Sequence, residues 1–74
     1  MAAMLMTASQ CRMARAALGL TLRELAAVAG ISVNTLSRLE SDGNVTSRTL
    51  VKVQGILAEK GAVFRRDGSV GVVN

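Results

Sequence analysis

A chain of 74 residues suffices for one small domain, and here Lys and Arg outnumber Asp and Glu nine to five, for a net charge of +4. Half of the residues are apolar but Phe64 is the one aromatic, so the core must come from Leu, Val, Ile, Ala and Met, thin enough for a partner subunit or ligand to add stability. The single cysteine, Cys11, excludes an intrachain disulfide framework, and the lack of histidine removes the commonest general base and metal ligand.

The opening "MAAMLMTASQ" is apolar only from Met1 to Met6 and has neither a basic leader nor a long apolar run. Residues 1–6 therefore read as a short tail rather than a signal peptide. No run approaches the roughly 20 apolar residues of a membrane-crossing helix, and a soluble, cytoplasmic protein without membrane association is expected. Thr7 with Gln10 forms a capping box, with Met6 and Cys11 at the staple positions. Cys11, Ala14 and Leu18 then share one face, and Gly19 stops this first helix. Its buried position makes Cys11 a small core residue in preference to a redox sensor.

Thr21 with Glu24 is a second capping box, flanked by Leu20 and Leu25 as its staple. That helix runs to about Ala29, where Gly30 supplies the left-handed conformation of a tight turn. Ser32 caps a third helix, stapled by Ile31 and Leu36. Starts this close together predict short helices packed at steep angles. The polar stretch "SDGNVTS", Ser41 to Ser47, reads as a loop, after which Thr46 or Ser47 caps a fourth helix. There Leu50, Val53 and Leu57 form an inward stripe beside Ile56, core first and dimer interface second, and Gly61 ends the helix. Gly55, costing about 1 kcal/mol relative to Ala, suggests close approach of another backbone. In "AVFRRDGSVGVVN", Asp67-Gly68 between β-prone runs predicts a hairpin with a two-residue turn. A lone ribbon is marginal in water, so it must pack on the helices or pair with something, a second subunit being the economical choice. Residues 7–61 thus form the helical domain, and residues 62–74 a hairpin or strand tail that doubles as a candidate dimerisation element.

The functional signal lies between Leu22 and Ser41. Ala26 falls where the second and third helices cross, Gly30 makes the turn, Ile31 plugs it, and Leu36 and Leu39 anchor the third helix. Together with Leu25 and the two caps, this is a helix-turn-helix pattern. At about 100° per residue, Leu36 and Leu39 define the buried direction of the third helix. The opposite arc holds Asn34, Ser37, Arg38 and Ser41, with Val33 on its shoulder. A merely solvated face usually carries several Lys and Glu, whereas short hydrogen-bonding groups and one arginine suit base edges. Asn pairs with adenine, Arg with guanine, and Val33 can touch a thymine methyl.

The stretch "CRMARAALGLTLRELAAVAGISVNTLSRLE" resembles the XRE (Cro/C1-type) helix-turn-helix domain of phage repressors and small bacterial regulators. The resemblance covers roughly Thr7 to Gly61, and "KGAVFRRDGSVGV" is similar to tails of short, stand-alone members. It implies an all-α, lambda-repressor-like domain of four or five helices with a short C-terminal β-hairpin or strand. It also implies that the third helix, about Val33 to Glu40, enters the major groove of double-stranded DNA, and that a homodimer binds a two-part operator. In the family an arginine of helix one pairs with the glutamate ending helix three; Arg15 and Glu40 fill those places, and Glu40 at the negative end of its helix needs a cation. The family's glutamine at the start of helix two is Leu22 here, which leaves backbone N–H groups, with Arg23, to hold phosphate. The usually basic loop after helix three carries Asp42.

Base reading is thereby assigned to Val33, Asn34, Ser37 and Arg38. Phosphate contact is assigned to Leu22, Arg23, Thr35, Ser41, Asn44 and Arg48, with Arg12 and Lys52 as further candidates or ordinary surface charges. Arg65 and Arg66 suit solubilising an edge strand better than holding phosphate. Arg15, Ala26, Gly30, Ile31, Leu36, Leu39 and Glu40 are structural. No Ser–base pair, carboxylate cluster or metal-ligand spacing supports catalysis, so no enzyme activity, metal or cofactor is expected. The expectation is a sequence-specific DNA-binding transcriptional regulator, a repressor whose signal arrives through a partner protein, concentration or dimerisation. The alternatives are an antitoxin that also binds a toxin protein, or a protein-interaction module that retains the fold, which Leu22 and Asp42 keep open.

Overall fold

A computed structural model describes residues 5–73; Asn74 and the first four residues of the expected tail lie outside them. The elements are α1 (Ala8–Ala17), α2 (Leu22–Ala29), α3 (Val33–Asp42), α4 (Ser47–Glu59), β1 (Ala62–Phe64) and β2 (Val70–Val72). The helices begin where side chains satisfy their first free N–H groups. Thr7, Thr21, Ser32 and Thr46 each accept from the backbone three residues on, and Thr7–Gln10 and Thr21–Glu24 are complete capping boxes. For α4 the cap is Thr46 rather than Ser47.

α1 lies across α3 and the hairpin, while α2 packs between α3 and α4. Between them Cys11, Ala14, Leu25, Ala26, Ala29, Leu36, Leu39, Val53 and Leu57 make one buried cluster. Met6 also lies in it, and its N–H donates to Gln54 Oε1 at 2.9 Å. Val53 and Leu57 of the α4 stripe are fully buried in the core, while Leu50 and Ile56 beside them are half-buried against it. No helix among the described residues is long and apolar enough to cross a membrane.

Three local expectations are corrected. The loop expected from Ser41 begins only at Gly43: Ser41 Oγ donates to the Ser37 carbonyl at 2.9 Å, and α3 runs through Asp42. Gly55 faces open space: among the described residues nothing beyond its own stretch of helix comes within 4 Å of where a Cβ would stand, so no other element approaches it closely. The hairpin turn is one residue longer than Asp67-Gly68 suggested. β1 and β2 pair antiparallel, Ala62 with Val72 and Phe64 with Val70. Arg65 N–H donates to the Ser69 carbonyl and Gly68 N–H to the Arg65 carbonyl, leaving three residues in the loop. Both common two-residue turns need positive φ at the first turn position, and Asp67 does not have it.

The hairpin does not wait for a partner. Ala62 is buried, Phe64 and Val70 pack on the core, and the Gln10 side-chain amide donates to the Arg65 carbonyl at 2.8 Å and the Ser69 carbonyl at 3.3 Å.

Candidate nucleic-acid interface

The turn between α2 and α3 is built from short-range bonds. Gly30 sits at φ 69°, its N–H donates to the Ala27 carbonyl at 3.2 Å, and Ile31 N–H reaches the Ala26 carbonyl at 3.0 Å. These two bonds are the helix-ending motif in which a left-handed glycine satisfies carbonyls that the helix has left free. Ala26, 2% exposed, is small enough for α3 to cross close by. Lys52 Nζ stands 3.7 Å from where a Gly30 Cβ would be, which places a cation at the negative end of α2. This lysine, a phosphate candidate by sequence, is therefore stationed over the turn.

α3 has two faces. Leu36 and Leu39 are fully buried and Glu40 nearly so. Val33, Asn34, Ser37, Arg38 and Ser41 are exposed, and the first four, the expected base readers, share the side away from the core. The inner side ends in an ion pair: Arg15 Nε donates to Glu40 Oε2 at 2.7 Å and Nη2 to Oε1 at 3.1 Å, a two-pronged contact. Arg15 Nη1 also bonds the Leu20 carbonyl, and its bond to Glu40 holds the guanidinium still more firmly protonated than usual. Beneath this pair burial, reinforced by the Glu40 carboxylate and opposed by Arg15, pushes the Cys11 thiol up to about 12. It stays neutral at ordinary pH, as a core residue should.

Arg12 is exposed, as a surface charge would be, but it also bonds within the chain. Its Nη1 donates to the Glu40 carbonyl at 2.9 Å, and its Nη2 lies 3.3 Å from Ser9 Oγ. Nothing in the spacing announced that second arginine grip.

The phosphate candidates surround α3. Arg23, Ser41, Asn44 and Arg48 are exposed. Leu22 turns its side chain onto the core and can offer only its N–H. Thr35 Oγ1 is 2.9 Å from Ser32 Oγ, while Asn44 N–H is used by Asp42 Oδ1 and its amide is left at the surface. Thr35, Arg38, Asn44, Val45, Thr46 and Thr49 line a shallow cleft of about 420 Å³ between α3 and the start of α4. The start of α2 carries its own anion: Glu24 Oε1 accepts from Thr21 N–H, and bonds with the Thr21 backbone and hydroxyl hold this carboxyl below its ordinary range.

A recognition-type helix presented by a capped helix and a left-handed glycine turn defines a helix-turn-helix domain. A family model described as Helix-turn-helix matches residues 12–60. The chain belongs to that family, the XRE (Cro/C1-type) helix-turn-helix proteins, and is a DNA-binding regulator. Comparison with curated proteins found no match.

Proposed function

We propose that the protein is a sequence-specific repressor that occupies a two-part operator as a homodimer, each copy laying α3 in a major groove. The observation that carries this reading is the outer face of α3, where Asn34, Ser37 and Arg38 stand exposed on a helix whose inner side is locked by Leu36, Leu39 and the Arg15–Glu40 pair. Arg38 reads guanine, Asn34 adenine, Ser37 either, and Val33 packs on a thymine methyl. The N–H groups of Leu22 and Arg23, with Thr35, Ser41, Asn44 and Arg48, position the helix on phosphates.

Selection of binding sites from random duplex DNA, followed by affinity measured across salt, tests the reading. A defined site and a steep salt slope are expected. Arg38→Ala should relax preference at one base pair and cost about 1–3 kcal/mol there, with the fold unchanged. Full retention of preference at every position would remove Arg38 from the readers.

A second reading, a protein-interaction module, is favoured by the Glu24 carboxylate at the start of α2 and by Leu22 facing the core. Absence of duplex binding even at low salt selects it.

For the homodimer, strand alternation puts Val63 and Val73 on the side of the hairpin away from the helices, and both are exposed. Val63→Lys together with Val73→Lys should weaken self-association in equilibrium sedimentation. An unchanged dimer would move the contact to the exposed Val51 and Gly55 side of α4.

A further inference from the structure

We propose that Arg12 is a positioning residue for α3, setting the angle at which the base-reading face meets DNA, and that it does not serve as a phosphate contact. The inference rests on the DNA-reading role of α3 proposed above.

Arg12 and Arg15 lie three residues apart on α1, the spacing at which helix side chains are neighbours. Both close on one residue. Arg15 takes the Glu40 carboxylate and Arg12 takes the Glu40 backbone carbonyl at 2.9 Å. That carbonyl belongs to the last turn of α3, where helix carbonyls lose their partners. A continuing helix would send the Asn44 N–H to it, but that N–H donates to Asp42 Oδ1 at 2.8 Å. The guanidinium of Arg12 therefore satisfies an otherwise orphaned acceptor and brings positive charge to the negative end of α3. Ser9 Oγ, 3.3 Å from Nη2, steadies the same side chain.

The two grips differ in what they constrain. A side-chain ion pair alone leaves the torsions of Glu40 as slack, so α3 can roll on α1 while the pair persists. A bond to the main chain takes the Glu40 torsions out of that linkage, because it holds the helix itself, and leaves only those of Arg12, which Ser9 restrains. Arg38 and Ser37 lie within one turn of Glu40, so the roll angle set here is inherited by the reading face. Recognition groups work only when held within a fraction of an ångström and about 10–20° of productive geometry. Arg12 is exposed, and of its five N–H donors one is engaged by Glu40 and one by Ser9, so the salt slope, and not the side chain's exposure, separates a positioning role from a phosphate contact.

Arg12→Met keeps the aliphatic stem and removes the donors, and Arg12→Lys restores one. In the DNA-free protein, amide hydrogen exchange at Leu39 and Gly43 should quicken about threefold to tenfold in Arg12→Met and recover partly in Arg12→Lys. On the selected operator, Arg12→Met should narrow discrimination against single-base variants by a similar factor and leave the salt slope unchanged. A slope reduced by about 0.9 with discrimination intact would make Arg12 a phosphate contact and overturn the proposal. Unchanged exchange would overturn it as well, because the anchor would then hold nothing. If the wild-type chain binds no duplex, the DNA reading falls while the exchange result still decides the anchor.

Discussion

The helix-turn-helix and the C-terminal hairpin are both pairs of short elements joined by a tight turn, yet they are fastened to the domain by different chemistry. α2 and α3 are closed by neighbours in sequence, through the Thr21–Glu24 box, the Gly30 turn and the Ser32 cap. Two arginines of α1 then grip the end of α3. The hairpin also closes on itself, through its own ladder and turn, but a side chain more than 50 residues away ties it to the helices: the buried Gln10 amide donates to the carbonyls of Arg65 and Ser69 across separations of 55 and 59 residues. Its apolar side, Ala62, Phe64 and Val70, lies on the core. One unit therefore keeps a polar face outside, whereas the other spends one side on the core and leaves the apolar Val63 and Val73 outside.

The largest test strikes what the two regions share. Leu39 is fully buried under α3, and Leu39→Ala should cost about 2–5 kcal/mol in urea unfolding. One cooperative transition is expected; a hairpin that outlasts α3 would split the domain into two units. Gln10→Ala comes next, at about 1–3 kcal/mol, because it strips two hairpin carbonyls and the Thr7 N–H of their partner. An unchanged melting temperature would make the hairpin an appendage and end the comparison.

Alkaline pH probes the joint beneath the arginine grip. The Cys11 thiol has an ordinary value of 9.0 and is pushed to about 12 by burial. The folded state thus holds its proton more tightly than the unfolded state does. Its contribution is complete below pH 9 and is lost as pH rises toward 12. Cys11→Ala should flatten that decline in melts across the window, and an equal decline in the variant would assign it to other groups. The smallest effect belongs to Glu24, whose carboxyl is lowered from 4.5 by the Thr21 backbone and hydroxyl. A depressed carboxyl stabilises above its unfolded value and loses that contribution as pH falls through the folded one. Glu24→Gln should therefore melt with a slightly weaker acid dependence below pH 4.5, confined to α2 in residue-resolved exchange.

Much of the candidate interface was legible because its devices are local. Thr21, Glu24, Gly30 and Ser32 act within a few residues of themselves, and the alternation of Leu36 and Leu39 with Asn34, Ser37 and Arg38 divides α3 into its faces without reference to the rest of the chain. Errors arose where two local signals compete. Ser41 and Asp42 look like loop residues, but with the Ser41 hydroxyl bonded back to Ser37 the helix runs two residues further. Asp67-Gly68 looks like a two-residue turn, but Asp67 kept ordinary backbone and the loop grew by one.

The sequence by itself determined where the helices start, where Gly30 turns the chain, which side of α3 is left outward, and that Arg15 and Glu40 belong together. These are decided by capping, periodicity and charge, whose reach is a turn or two of helix or, for the ion pair, a family pattern. Only the tertiary structure decided that Gln10 holds the hairpin, that Leu22 faces inward, and that Arg12 bonds the Glu40 carbonyl. Those choices join groups 28 to 59 residues apart or depend on which side of a helix meets the core. Spacing along the chain carries no record of the angle at which α1 crosses α3, and that angle selects which arginine reaches the main chain.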